Sequence, residues 1–177
     1  MTEAASKITL LCARWVIPVV PDGVVLEHHA VAISDCAITD VLPQSAAAER
    51  YPDATAVNLP DHVLIPGLIN LHTHAAMTLM RGMADDLPLM TWLQNHIWPA
   101  EQRWVSENFV RDGTDLAMAQ MLMSGTTCFN DMYFFPEVVA QQVIQAGMRA
   151  NIGLIVFDFP TAWAAQPDEY LSKGLAL

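Results

Sequence analysis

The feature that most constrains how this chain can fold is the run Leu64-Ile65-Pro66-Gly67-Leu68-Ile69-Asn70-Leu71-His72-Thr73-His74, apolar for most of its length and closed by two histidines. The stretch from Val63 to Leu71 is nearly all apolar, which reads as a strand buried on both faces of a parallel sheet. Side chains alternate along a strand, so His72 and His74 point the same way and can share one metal ion. Two neutral imidazoles at the carboxyl end of such a strand are the start of a catalytic metal centre that keeps room for water. A catalytic zinc normally takes at least three protein ligands, and the rest of the chain offers no convincing third.

The segments that follow alternate between helical and strand periods. A helix is predicted from Pro88, with Leu89, Leu93 and Ile97 on one stripe, stopping before Pro99. A second helix begins at the N-cap Ser106 and runs to about Ser124, with Phe109, Gly113, Leu116, Ala117, Gln120 and Met121 facing inward. Thr126 to Asp131 reads as a strand, Pro136 to Ala146 as a helix ended by Gly147, and Arg149 to Asp158 as another strand. Such alternation implies an α/β fold with parallel strands and crossover helices. No GxGxxG follows any strand, so a (β/α)8 barrel is favoured over a dinucleotide-binding sheet. A closed barrel needs about 250 residues, and residues 63–177 hold three clear strands. The expectation is an incomplete barrel, cut off in mid-domain just beyond a helix start at Pro167-Asp168-Glu169, with an unpaired apolar edge on its third strand.

Residues 1–62 read differently. Short β-rich runs over Ile8 to Val19 and Val24 to Leu42 are broken by Pro21-Asp22-Gly23 and Ser34-Asp35-Cys36, as in antiparallel strands with tight turns. Cys36 stands where glycine would be easier, a tolerable local strain. Pro43 to Asp61 reads as a connection carrying one short strand near Ala56 to Leu59. The chain therefore divides into residues 1–62, a small β-unit, and residues 63–177, the first units of the barrel.

Composition narrows the partners. Nineteen acidic against eight basic residues leave a net charge of −11, which argues against binding a phosphate backbone. No window reaches the ~18 to 20 apolar residues of a membrane span, and the stretch MTEAASKITLL lacks the pattern of a leader, so a cytoplasmic protein is expected. A hydrophobic fraction of 53% suggests more apolar surface than the chain covers alone, leaving a homo-oligomer open. Cys12, Cys36 and Cys128 form no CxxC pair and read as free, packed thiols.

The run PGLINLHTHAAMTLMRGMADDLPLMTWL, with FNDMYFFP and GMRANIGL following, resembles the amidohydrolase superfamily and, within it, the 5-methylthioadenosine/S-adenosylhomocysteine deaminases. The likeness covers nearly all of the chain but only about the first two-fifths of such an enzyme. It implies part of a composite β-sandwich followed by a metal-dependent (β/α)8 barrel, with one zinc per active site and His72 and His74 among its ligands. It also implies hydrolytic deamination of 5'-methylthioadenosine, S-adenosylhomocysteine or adenosine, giving the inosine analogue and ammonia. The remaining ligands and the proton-handling groups would lie beyond Leu177. Glu101 matches a glutamate that binds the substrate ribose, and a carboxylate can accept from two vicinal hydroxyls. Trp92 matches a tryptophan beside the nucleoside pocket, where an indole can cover a ligand. Asn151 to Pro160 contains no arginine for an amino-acid carboxylate, which favours methylthioadenosine or adenosine. A sister hydrolase acting on guanine, a triazine or another aminated ring, and a catalytically inactive fragment, are the alternatives.

Lesser candidates remain. Arg81 is expected to pair with Asp85 or Asp86 in the loop after the first barrel strand. Asp131, ending the second, could orient a metal-binding histidine through its other ring nitrogen. His28 and His29 face opposite ways as strand neighbours, and His62 and His96 are isolated.

Overall fold

The computed structural model describes residues 7–177; the first six residues of the stretch read above as lacking a leader lie outside the described residues. The chain separates into one unit ending at Pro66 and another beginning at Gly67, a few residues beyond the division expected at residue 62.

The first unit is a single four-stranded sheet in the order β3-β2-β1-β4. Its strands are β1 (Ile8–Val16), β2 (Leu26–Ser34), β3 (Ala37–Pro43) and β4 (Thr55–Leu64). β2 runs antiparallel to β1 and β3, while β4 is parallel to β1, so the sheet is mixed rather than wholly antiparallel. Asp35 and Cys36 make the hairpin turn, and the left-handed residue is Asp35, at φ 53°. The strain expected at Cys36 therefore falls one residue earlier, on a side chain that tolerates this conformation better. The Ala-rich stretch expected as a connection is a helix, α1 (Gln44–Arg50), whose Ala47 packs on Leu10, Ala30 and Ala32. Alanine has the highest helix propensity, and the sheet supplies an apolar surface for it to cover.

β4 is longer than the expected strand at 56–59 because Pro60 does not end it. β4 is an edge strand, and the ladder shifts register between Ala13↔Leu59 and Trp15↔Val63, so the proline sits where no donor is needed. Val63 and Leu64 thus pair with Trp15 and Val16 in the first unit. The single buried strand expected over 63–71 is two strands, parted at Ile65-Pro66-Gly67.

The second unit is a parallel sheet in the order β5-β6-β7, made of β5 (Leu68–Thr73), β6 (Thr126–Met132) and β7 (Arg149–Gly153). β5 is an edge strand, and Leu68, Ile69 and Leu71 are 53%, 63% and 76% exposed, contrary to the burial expected on both faces. A 3-10 turn (Ala75–Met80) follows it, then α2 (Leu89–Trp92), a π turn (Leu93–Ile97) and α3 (Trp98–Trp104). The helix expected to stop before Pro99 continues through it. Trp98 N–H bonds back to Leu93 across the widened π turn, which gives the proline ring room where a regular turn would clash.

α4 (Glu107–Met123) starts as expected, with Ser106 Oγ accepting from the Phe109 N–H. Its buried face is Val110, Gly113, Thr114, Ala117 and Met118, while Leu116 and Gln120 face outward. Gly113 and Ala117 lie inward as predicted, and Gly113 lets the α4 backbone lie directly on Ala76; an added Cβ would sit 2.8 Å from Ala76 Cα. α5 (Pro136–Ala146) ends at Gly147, φ 65°. β7 stops at Gly153, short of the expected Asp158, and α6 (Pro167–Leu175) buries Tyr170 against Trp163 and Phe157. The core of this unit gathers around Val110, Phe129 and Val139. Among the described residues, no helix is long and apolar enough to cross a membrane.

Candidate functional site

In a parallel sheet the carboxyl ends of the strands open together, and segments leaving them converge. Here they surround a cavity of about 520 Å³. His74 and Met77 follow β5, Tyr133 and Phe134 follow β6, and Phe157 and Phe159 lie beyond β7; Trp92, Trp98 and Glu101 also line it. The lining is mostly aromatic and aliphatic.

His74 stands one residue past β5 and is half-buried. Its Nδ1 lies 2.6 Å from the Met132 carbonyl. A carbonyl only accepts, so Nδ1 carries the hydrogen, and the neutral tautomer with this bond has its lone pair on Nε2. The chain on either side is tied to one carboxylate: Asp131 Oδ1 accepts from the Ala75 N–H at 2.7 Å and from the Thr73 hydroxyl at 2.8 Å. Asp131, a candidate for orienting a histidine, does not bond the His74 Nδ1, where the Met132 carbonyl lies instead. It is 1% exposed, and among the described residues its Oδ2 has no hydrogen-bond partner. Burial pushes its carboxyl above the ordinary value, against the pull of its bonds from Ala75 and Thr73.

His72 lies in β5, exposed, with its ring centroid 5.3 Å from that of His74 in an edge arrangement. The two rings are thus neighbours, although only His74 borders the cavity. Imidazole nitrogens suit zinc and several other transition ions. Among the described residues no group of three or more His, Cys, Asp or Glu could hold a metal. The donor set matches zinc in kind and falls short in number.

Glu101, in the first turn of α3, accepts at Oε1 from the Tyr133 hydroxyl at 2.8 Å. Burial pushes its carboxyl above the usual range, opposed by the Tyr133 bond and by proximity to His74. Tyr133 is itself 6% exposed, and burial, with the Glu101 charge beside it, strongly disfavours its ionised form. Trp92, at the end of α2, borders the same cavity. His74, Trp92 and Glu101 therefore meet at one place.

Sequence reasoning missed Tyr133. Its signal was the motif FNDMYFFP, where a polar strand end precedes an aromatic run. Arg81 is exposed, and no ion pair joins it to Asp85 or Asp86 among the described residues. His29 Nδ1 bonds the Glu27 carbonyl.

Residues 63–174 match the family model described as the amidohydrolase family. The chain is 52% identical over its whole length to a 5-methylthioadenosine/S-adenosylhomocysteine deaminase of Saccharophagus degradans, and 51% identical to one of Teredinibacter turnerae. It spans 40% of the length of each. A crystal structure of an adenosine deaminase from Xanthomonas campestris with bound zinc superposes with a TM-score of 0.93 at 52% identity, over 95% of this chain and 38% of that one. A guanine deaminase from C. acetobutylicum with guanine bound superposes at 0.79 with 18% identity, covering 96% of this chain and 42% of its own, a likeness of fold.

Proposed function

Because the chain belongs to the amidohydrolase family, we propose that it is the N-terminal portion of a zinc-dependent deaminase converting 5'-methylthioadenosine, S-adenosylhomocysteine or adenosine to the inosine analogue and ammonia. On this reading the unit from Gly67 supplies the first strand–helix units of a (β/α)8 barrel, and the unit ending at Pro66 supplies part of a β-sandwich. The single observation that carries the proposal is the meeting of His74, Trp92 and Glu101 on one apolar cavity at the carboxyl ends of parallel strands.

Each residue has a task suited to its chemistry. His72 and His74 are two of the zinc ligands, and the Met132 carbonyl keeps His74 in the tautomer whose Nε2 can bind. When bound, zinc supplies Lewis acidity and makes water a usable nucleophile at neutral pH. Trp92 covers the ligand with its indole, and Glu101 accepts hydrogen bonds from sugar hydroxyls. Met77, Phe134, Phe157 and Phe159 exclude water around a purine and a thioether tail.

Calorimetry of the 177-residue chain with zinc, then with methylthioadenosine, adenosine or guanine, tests this. Zinc binding that weakens at least tenfold in His74→Ala, with adenine nucleosides bound in preference to guanine, is the expected result. Failure to bind any adenine nucleoside, or tighter binding of guanine, would sink it.

A further inference from the structure

The dipeptide Met132-Tyr133 touches the site twice. The Met132 carbonyl takes the His74 ring hydrogen at 2.6 Å, and the next residue's hydroxyl donates to Glu101 Oε1 at 2.8 Å. His74 leaves β5 and Glu101 belongs to α3, so the end of β6 is the shared point to which both are tied.

Tyr133 is itself held. It is 6% exposed, its ring centroid lies 4.8 Å from that of Phe134 and 6.2 Å from that of His74, and its hydroxyl points at the carboxylate. A glutamate side chain has three rotatable bonds, and a cavity of this size leaves it other places to go. One bond from a fixed phenol removes that freedom before a ligand arrives, which is how a rigid support improves binding. Glu101 Oε2 has no hydrogen bond among the described residues, so one oxygen is occupied by the support and the other is available to a ligand.

We propose, resting on the nucleoside reading above, that Tyr133 is a positioning residue: its hydroxyl holds the Glu101 carboxylate at a set offset from His74, matching the spacing between a purine and its sugar hydroxyls. Loss of the hydroxyl then weakens recognition of the sugar and leaves the rest of the pocket intact.

Tyr133→Phe removes a single oxygen from a packed ring. In a crystal structure of that variant, without ligand, the Glu101 carboxylate is expected to leave its place or occupy several rotamers; an unmoved carboxylate overturns the proposal. Adenosine affinity is expected to fall about 10- to 150-fold, the range for losing a hydrogen bond to a charged group, while affinity for 2',3'-dideoxyadenosine stays unchanged. Equal weakening of both ligands would indicate a merely structural role and also overturn it. In a Glu101→Ala background the Tyr133→Phe change is expected to have no further effect on adenosine, and an additional tenfold loss there contradicts the proposal. If the wild-type chain binds neither nucleoside while the carboxylate moves in the variant, the deaminase reading fails and the positioning role stands.

Discussion

Replacing Gly113 by alanine should force α4 off the turn that follows His74. The new Cβ would meet the Ala76 carbonyl oxygen and lie 2.8 Å from Ala76 Cα and 3.0 Å from its carbonyl carbon, whereas ordinary contact begins at 3.4 Å. All three atoms are backbone, so no side chain can swing away, and the helix must withdraw by at least about 0.6 Å. Withdrawal loosens Ala75, Ala76, Val110 and Ala117, all at most 3% exposed. Overpacking of this kind costs roughly 3 kcal/mol, the upper end of its usual range. Alanine returns about 1 kcal/mol of helix propensity. A net loss of about 2 kcal/mol should lower the melting temperature of a unit this size by roughly 8 °C. Thermal and urea denaturation followed by circular dichroism would measure it, with Asp112→Ala, at a neighbouring exposed site, as the comparison. A Gly113→Ala chain as stable as the wild type, or more stable, would refute the close-approach argument.

Two further outcomes follow from the same geometry. Ser106→Ala removes the acceptor for the Phe109 N–H at the start of α4 and should cost about 1 kcal/mol, read as a lower urea midpoint with an unchanged slope. Glu101 has a pH signature: because burial raises its carboxyl above the ordinary 4.5, the fold favours the protonated form. That contribution is present below 4.5 and is lost as pH rises through the raised value. Glu101→Gln should therefore gain stability relative to the wild type between pH 4 and pH 7, and urea midpoints showing a constant or shrinking difference would contradict it.

Much of the second unit was legible because its signals are local. Ser106 caps α4 through its own side chain, Gly147 ends α5 in a left-handed conformation, and the alternation of periods announced a parallel sheet. The misreadings arose where a neighbour decided. Pro99 looked like a stop until the π turn before it made room, and Pro60 looked like a break until β4 proved to be an edge strand with a register shift at that point. The α4 face was misjudged at Leu116 and Gln120, which face outward, and at Val110, Thr114 and Met118, which are buried, whereas Gly113, placed inward, is where the helix touches Ala76.

The candidate site divides in the same way. By itself the sequence determined that His72 and His74 share a strand end, since alternation along a strand is a property of the backbone alone. Only the tertiary structure decided which of them borders the cavity, which nitrogen of His74 meets the Met132 carbonyl, and that Glu101 and Trp92 border the same cavity. Those facts depend on a carbonyl from β6 and a phenol one residue beyond it, both far from His74 along the chain. Hydrogen bonds between separate elements leave no periodic trace in a sequence, because they are made only when packing brings the elements together.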